Sequence, residues 1–250
     1  MRRVTSDTAD DGGYTESPLG LRGIRTAVDW AHPGRARARA TALVAAYRAH
    51  RTEVIRNPHL EQDWAAAAVS SPVLLDAVRA VVGQNVAVEN SFLVMKWPGQ
   101  EFEVPWHQDG IDGRIELAPG KSVAAWLALT DATATTGCLD VIVGSHRRGY
   151  LPYGPEAETG RPRGRADTVR GEPDGRPISL PVRAGRAVLM DMRLLHRSGS
   201  NTGNGVRVGL NVRYVAPGAC LRRDPTCPSL FPVSGLGWPS RSAEGEGDHT

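Results

Sequence analysis

Short apolar runs separated by glycine and proline dominate the chain from residue 85 onward. The 250 residues include 28 glycines and 18 prolines, so the chain can form many turns. Frequent turns between short apolar runs are typical of folds built from short β-strands. The sequence therefore predicts strands over residues 85–96, 122–130, 139–143, 177–182, 186–191 and 206–215.

Two stretches with helical spacing precede these strands. Leu43, Val44 and Tyr47 belong to an apolar face between arginines, which predicts a helix over residues 35–56. A second helix is predicted over residues 72–82, because a proline in the first turn follows Ser71 and Gly83 can end the helix. We expect the helices to pack outside the strands. The predicted fold is mainly β with packing helices, a double-stranded β-helix (jelly-roll or cupin-like) barrel.

The length of the chain fits one large β domain, predicted here over residues 21–239. Residues 1–20 and 240–250 are rich in small and acidic residues and are predicted to be mobile tails. Residues 146–176 show no periodic run and contain many Gly, Pro and Arg residues. This long segment is either a lid near a functional site or a surface insertion.

Composition and charge exclude several classes of protein. The formal net charge is only +3 and no basic tract is present, so binding of nucleic acid is not expected. No apolar run approaches the roughly 18 residues of a membrane span. The three cysteines match no zinc spacing, and we expect reduced thiols, although Cys220 could pair with Cys227. With no secretion signal apparent at the N-terminus, a cytoplasmic location is predicted.

Potential metal ligands follow two of the strand-like runs. His107 and Asp109 are two residues apart, so in extended backbone their side chains point the same way. His196 lies just beyond another apolar run, residues 187–192. Two imidazoles and one carboxylate form the facial triad that holds non-haem Fe(II) and leaves positions open for other ligands. A zinc site is the alternative, but the triad together with the nearby Arg207 suits iron better.

Several sequence blocks around these residues keep a common order and spacing. The blocks cover residues 92–99, 104–110, 125–131, 137–139, 144–149 and 194–214. They resemble the phytanoyl-CoA dioxygenase family of Fe(II)/2-oxoglutarate oxygenases, which includes ectoine hydroxylase, over roughly residues 35–217. Two departures concern loops and leave the metal set unchanged: Val143 stands where the family usually has proline, and Thr135-Thr136 replace an acidic-Asn pair.

The resemblance implies a role for each residue of the site. His107, Asp109 and His196 would bind Fe(II), and Arg207 would pair with the distal carboxylate of 2-oxoglutarate. Arg213, on the same face of the strand, is the alternative anchor. The resemblance also places Ser198, Trp126 and Asn90 next to the co-substrate, and assigns His146 to a structural turn. The carboxylate of Asp109 disfavours halogenation, because related halogenases have a small residue there.

The resemblance further implies a reaction and its partners. We expect an Fe(II)/2-oxoglutarate-dependent dioxygenase that uses O2 to hydroxylate an unactivated C–H bond of a small molecule, as a tailoring step in natural-product biosynthesis. Desaturation, epoxidation or rearrangement with the same cofactors stays open, as does a jelly-roll protein that binds metal or ligand without turnover. The substrate could be a free anion or be tethered to a carrier, and neither a nucleic acid nor a membrane is an expected partner.

Overall fold

The computed structural model describes residues 17–155, 167–171 and 173–238. Its α-helices are α1 (Pro33–Tyr47), α2 (Pro58–Glu61), α3 (Asp63–Val69) and α4 (Pro72–Val82). Its strands are β1 (Ile24–Asp29), β2 (Val54–Arg56), β3 (Val86–Lys96), β4 (Val104–His107), β5 (Ile115–Leu117), β6 (Ser122–Ala128), β7 (Leu139–Val141), β8 (Tyr153–Pro155), β9 (Asp167–Val169), β10 (Ile178–Leu180), β11 (Arg186–Met190), β12 (His196–Ser198), β13 (Arg207–Val215), β14 (Cys220–Arg223) and β15 (Phe231–Ser234).

The strands form two larger antiparallel sheets. In the main sheet the order is β1-β11-β6-β13-β3-β15, and β2 also pairs with β3. In the second sheet the order is β10-β7-β12-β4. Two strand pairs, β5 with β14 and β8 with β9, complete the described sheets. The chain is therefore mainly β, with antiparallel sheets and a few helices.

The main sheet is buried on both faces, and each face belongs to a different apolar cluster. One cluster joins the sheet to the helices through Leu43 of α1, Leu74 and Val78 of α4, and alternate residues of the central strands such as Leu93, Leu127 and Leu210. The other cluster joins the opposite face to the second sheet and includes Trp126, Val188, Leu139 and Val141. Consequently the helices cover one face, and the other face meets the second sheet.

The helix predicted over residues 72–82 is confirmed, but the prediction of one helix over 35–56 is wrong at its end. Helix α1 ends at Tyr47, and residues 54–56 form strand β2 instead. Val54 and Ile55 lie opposite Val94 and Leu93 of β3. β-Branched residues fit a pleated, half-buried sheet better than an exposed helix end, so pairing with β3 overrides the helical spacing.

All six predicted strands are confirmed, and the missed strands are mostly short. Strands of three or four residues, such as β4 and β12, are too short for an apolar alternation to be seen in the sequence. Strand β3 contains an irregularity that a uniform alternation does not predict. Its pairing with β13 shifts between Asn90 and Val88, so Glu89 has no partner in the register.

Of the predicted tails, residues 1–20 and 240–250, only residues 17–20 lie within the described part of the chain. Ser17 is buried, and its carbonyl accepts a hydrogen bond from the Gly20 amide. In the predicted lid segment, residues 156–166 and 172 are outside the described part, and the rest includes β8 and β9. The lid and the domain bounds stay predictions.

Within the described ranges, no single helix is long and apolar enough to cross a membrane. The helices α3 and α4 satisfy the length and composition criteria only when taken together, and they are bent by 47° at their junction.

Candidate metal centre

Strand pairing brings the two predicted histidine ligands together. In the antiparallel pair of β4 and β12, His107 lies directly opposite His196, and the centres of their rings are 4.1 Å apart. Asp109 follows β4 closely, with its Oδ1 3.8 Å from Nε2 of His107 and its Oδ2 3.5 Å from Nε2 of His196. One ligand atom from each residue lies within 4.8 Å of the others, and all three side chains are buried. The three residues can therefore bind a single metal ion.

Backbone carbonyls orient both imidazoles for metal binding. Nδ1 of His107 lies 2.8 Å from the carbonyl of Pro105, and Nδ1 of His196 lies 3.0 Å from the carbonyl of Leu194. Because a carbonyl oxygen only accepts hydrogen bonds, each Nδ1 is assigned the proton and each Nε2 keeps its lone pair. In both rings the lone pair is then on the nitrogen nearer to Asp109. This arrangement is the one that metal-binding histidines commonly show.

Two residues of β13 fix the carboxylate of Asp109. Asn211 Nδ2 donates to Oδ2 at 3.1 Å, and Arg213 Nη2 lies 3.5 Å from Oδ1. Arg213 is also 3.5 Å from the carboxylate of Asp112 and 3.8 Å from that of Glu89. Burial alone would lower the pKa of Arg213, but these carboxylates outweigh it and raise the pKa above its usual value. The charge of Arg213, the alternative co-substrate anchor, is therefore already matched within the protein.

Arg207 lies four residues before Asn211 on β13, and its charge is not balanced in this way. It is only 1% exposed, and its guanidinium lies 4.9 Å from the centre of the Trp126 ring. Its Nε and Nη2 both donate to the carbonyl of Gly137, at 3.1 and 2.6 Å. Burial lowers the pKa of Arg207 to about 10, so it still carries its charge at neutral pH. No carboxylate of the described residues forms an ion pair with this buried cation.

Lys96 adds a second buried basic group next to Arg207. The two residues lie opposite each other on β3 and β13. The ammonium donates to the carbonyls of Phe102, Ser198 and Gly199, at 2.8, 3.1 and 2.7 Å. Burial, together with the charge of Arg207, lowers the pKa of Lys96 to about 6. Lys96 therefore carries little charge at neutral pH, and the positive charge at this end of the site is that of Arg207.

Two glycines are required by the packing around Arg207. Gly137 has φ +76°, and a Cβ on it would lie 2.4 Å from the carbonyl oxygen of Gly199. A Cβ on Gly209 would lie 2.4 Å from Cζ2 of Trp126. The indole of Trp126 therefore lies directly on the glycine of β13, which leaves the ring in position under the guanidinium.

One cavity of about 330 Å³ contains most of the predicted site. Its lining includes the three potential metal ligands together with Arg207, Ser198 and Trp126. Asn90 does not line it: this residue lies beside the irregularity in β3, and its Oδ1 is buried with no hydrogen-bond partner in the described part of the chain. The predicted role of Asn90 at the co-substrate therefore has no support from the cavity geometry.

Sequence reasoning missed Asn211, Glu89 and the part of the cavity that β2 lines. Asn211 could have been found, since it has the same strand parity as Arg207 and Arg213 and so shares their face. His146, predicted to be structural, lies away from the triad in a 3-10 helix over residues 145–148 and is fully buried beside Gly23. Burial lowers its pKa.

Comparisons with known proteins agree with this geometry. The sequence model of the family described as phytanoyl-CoA dioxygenase (PhyH) matches residues 30–209. Phytanoyl-CoA dioxygenase domain-containing protein 1 of Danio rerio is 32% identical over 133 residues, which cover 49% of this chain and 43% of that protein. The chain spans about half the length of the curated relatives it matches.

Solved structures of low sequence identity share the fold. The non-heme monooxygenase ThoJ, in its apo form, superposes with a TM-score of 0.68 at 23% identity, covering 86% of this chain and 82% of ThoJ. The non-heme alpha ketoglutarate dependent carbocyclase SnoK from nogalamycin biosynthesis gives a TM-score of 0.65 at 19% identity, covering 86% of this chain and 93% of SnoK.

Replacing His107 with alanine is expected to weaken binding of a divalent metal by at least about a hundredfold, because the loss of a ligand should cost more than the loss of a residue that only supports one. Calorimetric titration with Co(II) measures the effect. His50→Ala, which changes an exposed histidine, is the matched control and should bind like wild type. Equal affinity in wild type and His107→Ala would contradict the assignment of the triad.

Replacing Gly209 with alanine is expected to lower the free energy of unfolding by about 1–3 kcal/mol, because the new methyl group would overlap the Trp126 ring. Urea denaturation monitored by tryptophan fluorescence measures this. Gly205→Ala is the control, since a Cβ at Gly205 meets no atom within 4 Å. Similar stabilities of the two variants would show that Trp126 does not need the glycine.

Proposed function

The chain belongs to the phytanoyl-CoA dioxygenase family, and we propose that it is a non-haem Fe(II)- and 2-oxoglutarate-dependent dioxygenase. The single observation that carries the proposal is the combination, in one cavity, of the His107-Asp109-His196 triad with the unmatched buried cation of Arg207. The triad alone could bind several metals, but a buried cation beside it calls for an anionic co-substrate.

The residues present fit both iron and the co-substrate. His107 and His196 present Nε2, and Asp109 presents a carboxylate oxygen, which is the ligand set of a facial triad. With 2-oxoglutarate and O2, an iron ion held in this way supplies an oxidation strong enough to break an aliphatic C–H bond, with succinate and CO2 as co-products. Asn211 and Arg213 hold the Asp109 carboxylate, and the carbonyls of Pro105 and Leu194 hold the rings.

Arg207 would bind the distal carboxylate of 2-oxoglutarate. Because Gly137 accepts from Nε and Nη2, the guanidinium is already oriented, and Nη1 has no partner among the described residues. Trp126 supports the guanidinium from one side, and Ser198 lines the same cavity. The burial of these residues limits water around the co-substrate, which strengthens the ion pair.

The reaction we propose is hydroxylation of an unactivated C–H bond of a small molecule in natural-product biosynthesis. The similarity of fold to SnoK, a protein from nogalamycin biosynthesis, supports the biosynthetic part. Desaturation, epoxidation or rearrangement is the alternative with the same cofactors. SnoK is a carbocyclase, which supports this alternative. A protein without turnover is disfavoured by the unmatched Arg207.

Two further predictions concern the arrangement of the sheets and the location and partners of the protein. We infer that the seven-stranded and four-stranded sheets are the two walls of a double-stranded β-helix, since they meet across one apolar cluster and the cavity lies beside their strands. The cytoplasmic location and the absence of nucleic acid or membrane partners stay predictions.

Replacing Arg207 with glutamine is expected to raise the KM for 2-oxoglutarate about a hundredfold, because the variant removes the charge that pairs with the distal carboxylate. Succinate formation by the Fe(II)-loaded protein in air, which proceeds slowly without a prime substrate, provides the measurement. Arg186→Gln is the matched control, because Arg186 pairs with Asp29 and neither residue lines the cavity. An unchanged KM in Arg207→Gln would refute the assigned role.

A further inference from the structure

Strand β2 extends the main sheet and with it the wall of the cavity. Val54 and Arg56 lie opposite Val94 and Phe92 of β3. Phe92 in turn lies opposite Asn211 of β13. All five of these residues line the cavity, and none of them is a potential metal ligand. The cavity therefore has an outer compartment next to β2, beyond the compartment formed by β13 and β6.

The row from Arg56 through Phe92 to Asn211 gives the size of this compartment. Neighbouring strands are about 4.8 Å apart, so the backbones of Arg56 and Asn211 are separated by roughly 10 Å. Asn211 contacts Asp109, so the row connects the outer compartment directly to the metal centre. A molecule that reaches from Arg56 to the metal centre would be of comparable length.

The outer compartment is apolar except for one unmatched cation. Val54, Phe92, Val94 and Val104 line it. The guanidinium of Arg56 lies 5.3 Å from the centre of the Phe92 ring, and it has no ion pair or hydrogen bond with any described residue. Arg56 is exposed, and the contact with the ring favours this position of the guanidinium while its N–H groups remain available.

Two other arginines of the cavity lining are already paired. Arg114 forms an ion pair with Asp224 at 3.7 Å, and Arg197 forms one with Asp140 at 3.2 Å. The nearby acidic groups also have partners: Asp112 faces Arg213, and Asp167 accepts from the amide of Gly113. Among the described residues of the lining, Arg56 and Arg207 are the arginines that form no ion pair with a carboxylate. Arg207 is assigned to the co-substrate.

We propose that the outer compartment binds the prime substrate as an organic anion: its carboxylate or phosphate pairs with Arg56, and its apolar body lies along Val54, Phe92 and Val94 toward the metal centre. This proposal rests on the proposed function, because it takes the triad and Arg207 to be occupied by metal and 2-oxoglutarate. It assigns Arg56 as a specificity-determining residue that selects the charge of the substrate and sets which carbon reaches the metal.

Three probes with the same apolar body test the proposal: 5-phenylpentanoate, 5-phenylpentanamide and 5-phenylpentyl phosphate. Their length matches the row from Arg56 to Asn211. Each is titrated into protein loaded with Mn(II) and saturating 2-oxoglutarate, so that Arg207 is occupied. Probe protons are observed by NMR, which reports the affinity and, through paramagnetic relaxation, the end of the probe that lies nearer the metal.

We expect at least one anionic probe to bind about tenfold more tightly than the amide, with its phenyl protons relaxed most strongly. Preference for the phosphate or for the carboxylate then identifies the anionic group. In Arg56→Gln the preference over the amide should disappear, and Arg56→Lys should keep part of it. Arg39→Gln is the matched control, because Arg39 also stacks on an aromatic ring, that of Trp64, but lies outside the cavity. It should behave like wild type.

Several results would overturn the proposal: no binding of either anion, equal binding of the amide, or a preference that persists in Arg56→Gln. Stronger relaxation at the anionic end would do the same. Failure of wild type to bind Mn(II) or 2-oxoglutarate, seen before any probe is added, would instead refute the proposed function and remove the premise of this proposal.

Discussion

The register between β4 and β12 is the constraint on which the site depends. His107 and His196 face each other only in this pairing, and a slip by one residue would turn one imidazole to the other face of the sheet. The neighbouring Gln108 secures the register, since its Nε2 donates to the carbonyls of Arg193 and Gly149 at 2.6 and 2.9 Å. A buried ion pair between Asp191 and Arg193 fixes the turn that leads into β12. Both supports lie outside the triad and determine its geometry.

Charge is distributed unevenly along one face of β13, and this determines what the cavity can bind. Arg213 is balanced by carboxylates, among them the potential metal ligand Asp109, so it stabilises the protein's own site. Arg207, on the same face of the strand, is held by Trp126 and the carbonyl of Gly137 and keeps an unbalanced charge. Gly209 between them makes room for the indole. One strand thus supports a metal ligand at one end and an anion site at the other.

The chemistry of the site was easier to predict from the sequence than its full lining. His107, Asp109 and His196 could be found because a short motif and the ends of apolar runs locate them, and the six predicted strands followed from their composition. The strand β2 was mistaken for a helix end, so the outer compartment with Arg56 and Phe92 could not be foreseen. Asn90 was placed at the co-substrate by the family resemblance alone, and it does not line the cavity. The position of β2 is decided by pairing with the distant strand β3, and local sequence does not contain that information.

We propose that the triad and Arg207 act together on one metal and one keto acid. The most direct measurement is an anaerobic titration of 2-oxoglutarate into the Fe(II)-loaded protein, followed through the weak visible charge-transfer absorption of an iron-chelated keto acid. We expect this absorption to appear and to saturate at one 2-oxoglutarate per chain. A folded protein with one bound Fe(II) that shows no such absorption at any co-substrate concentration would contradict it.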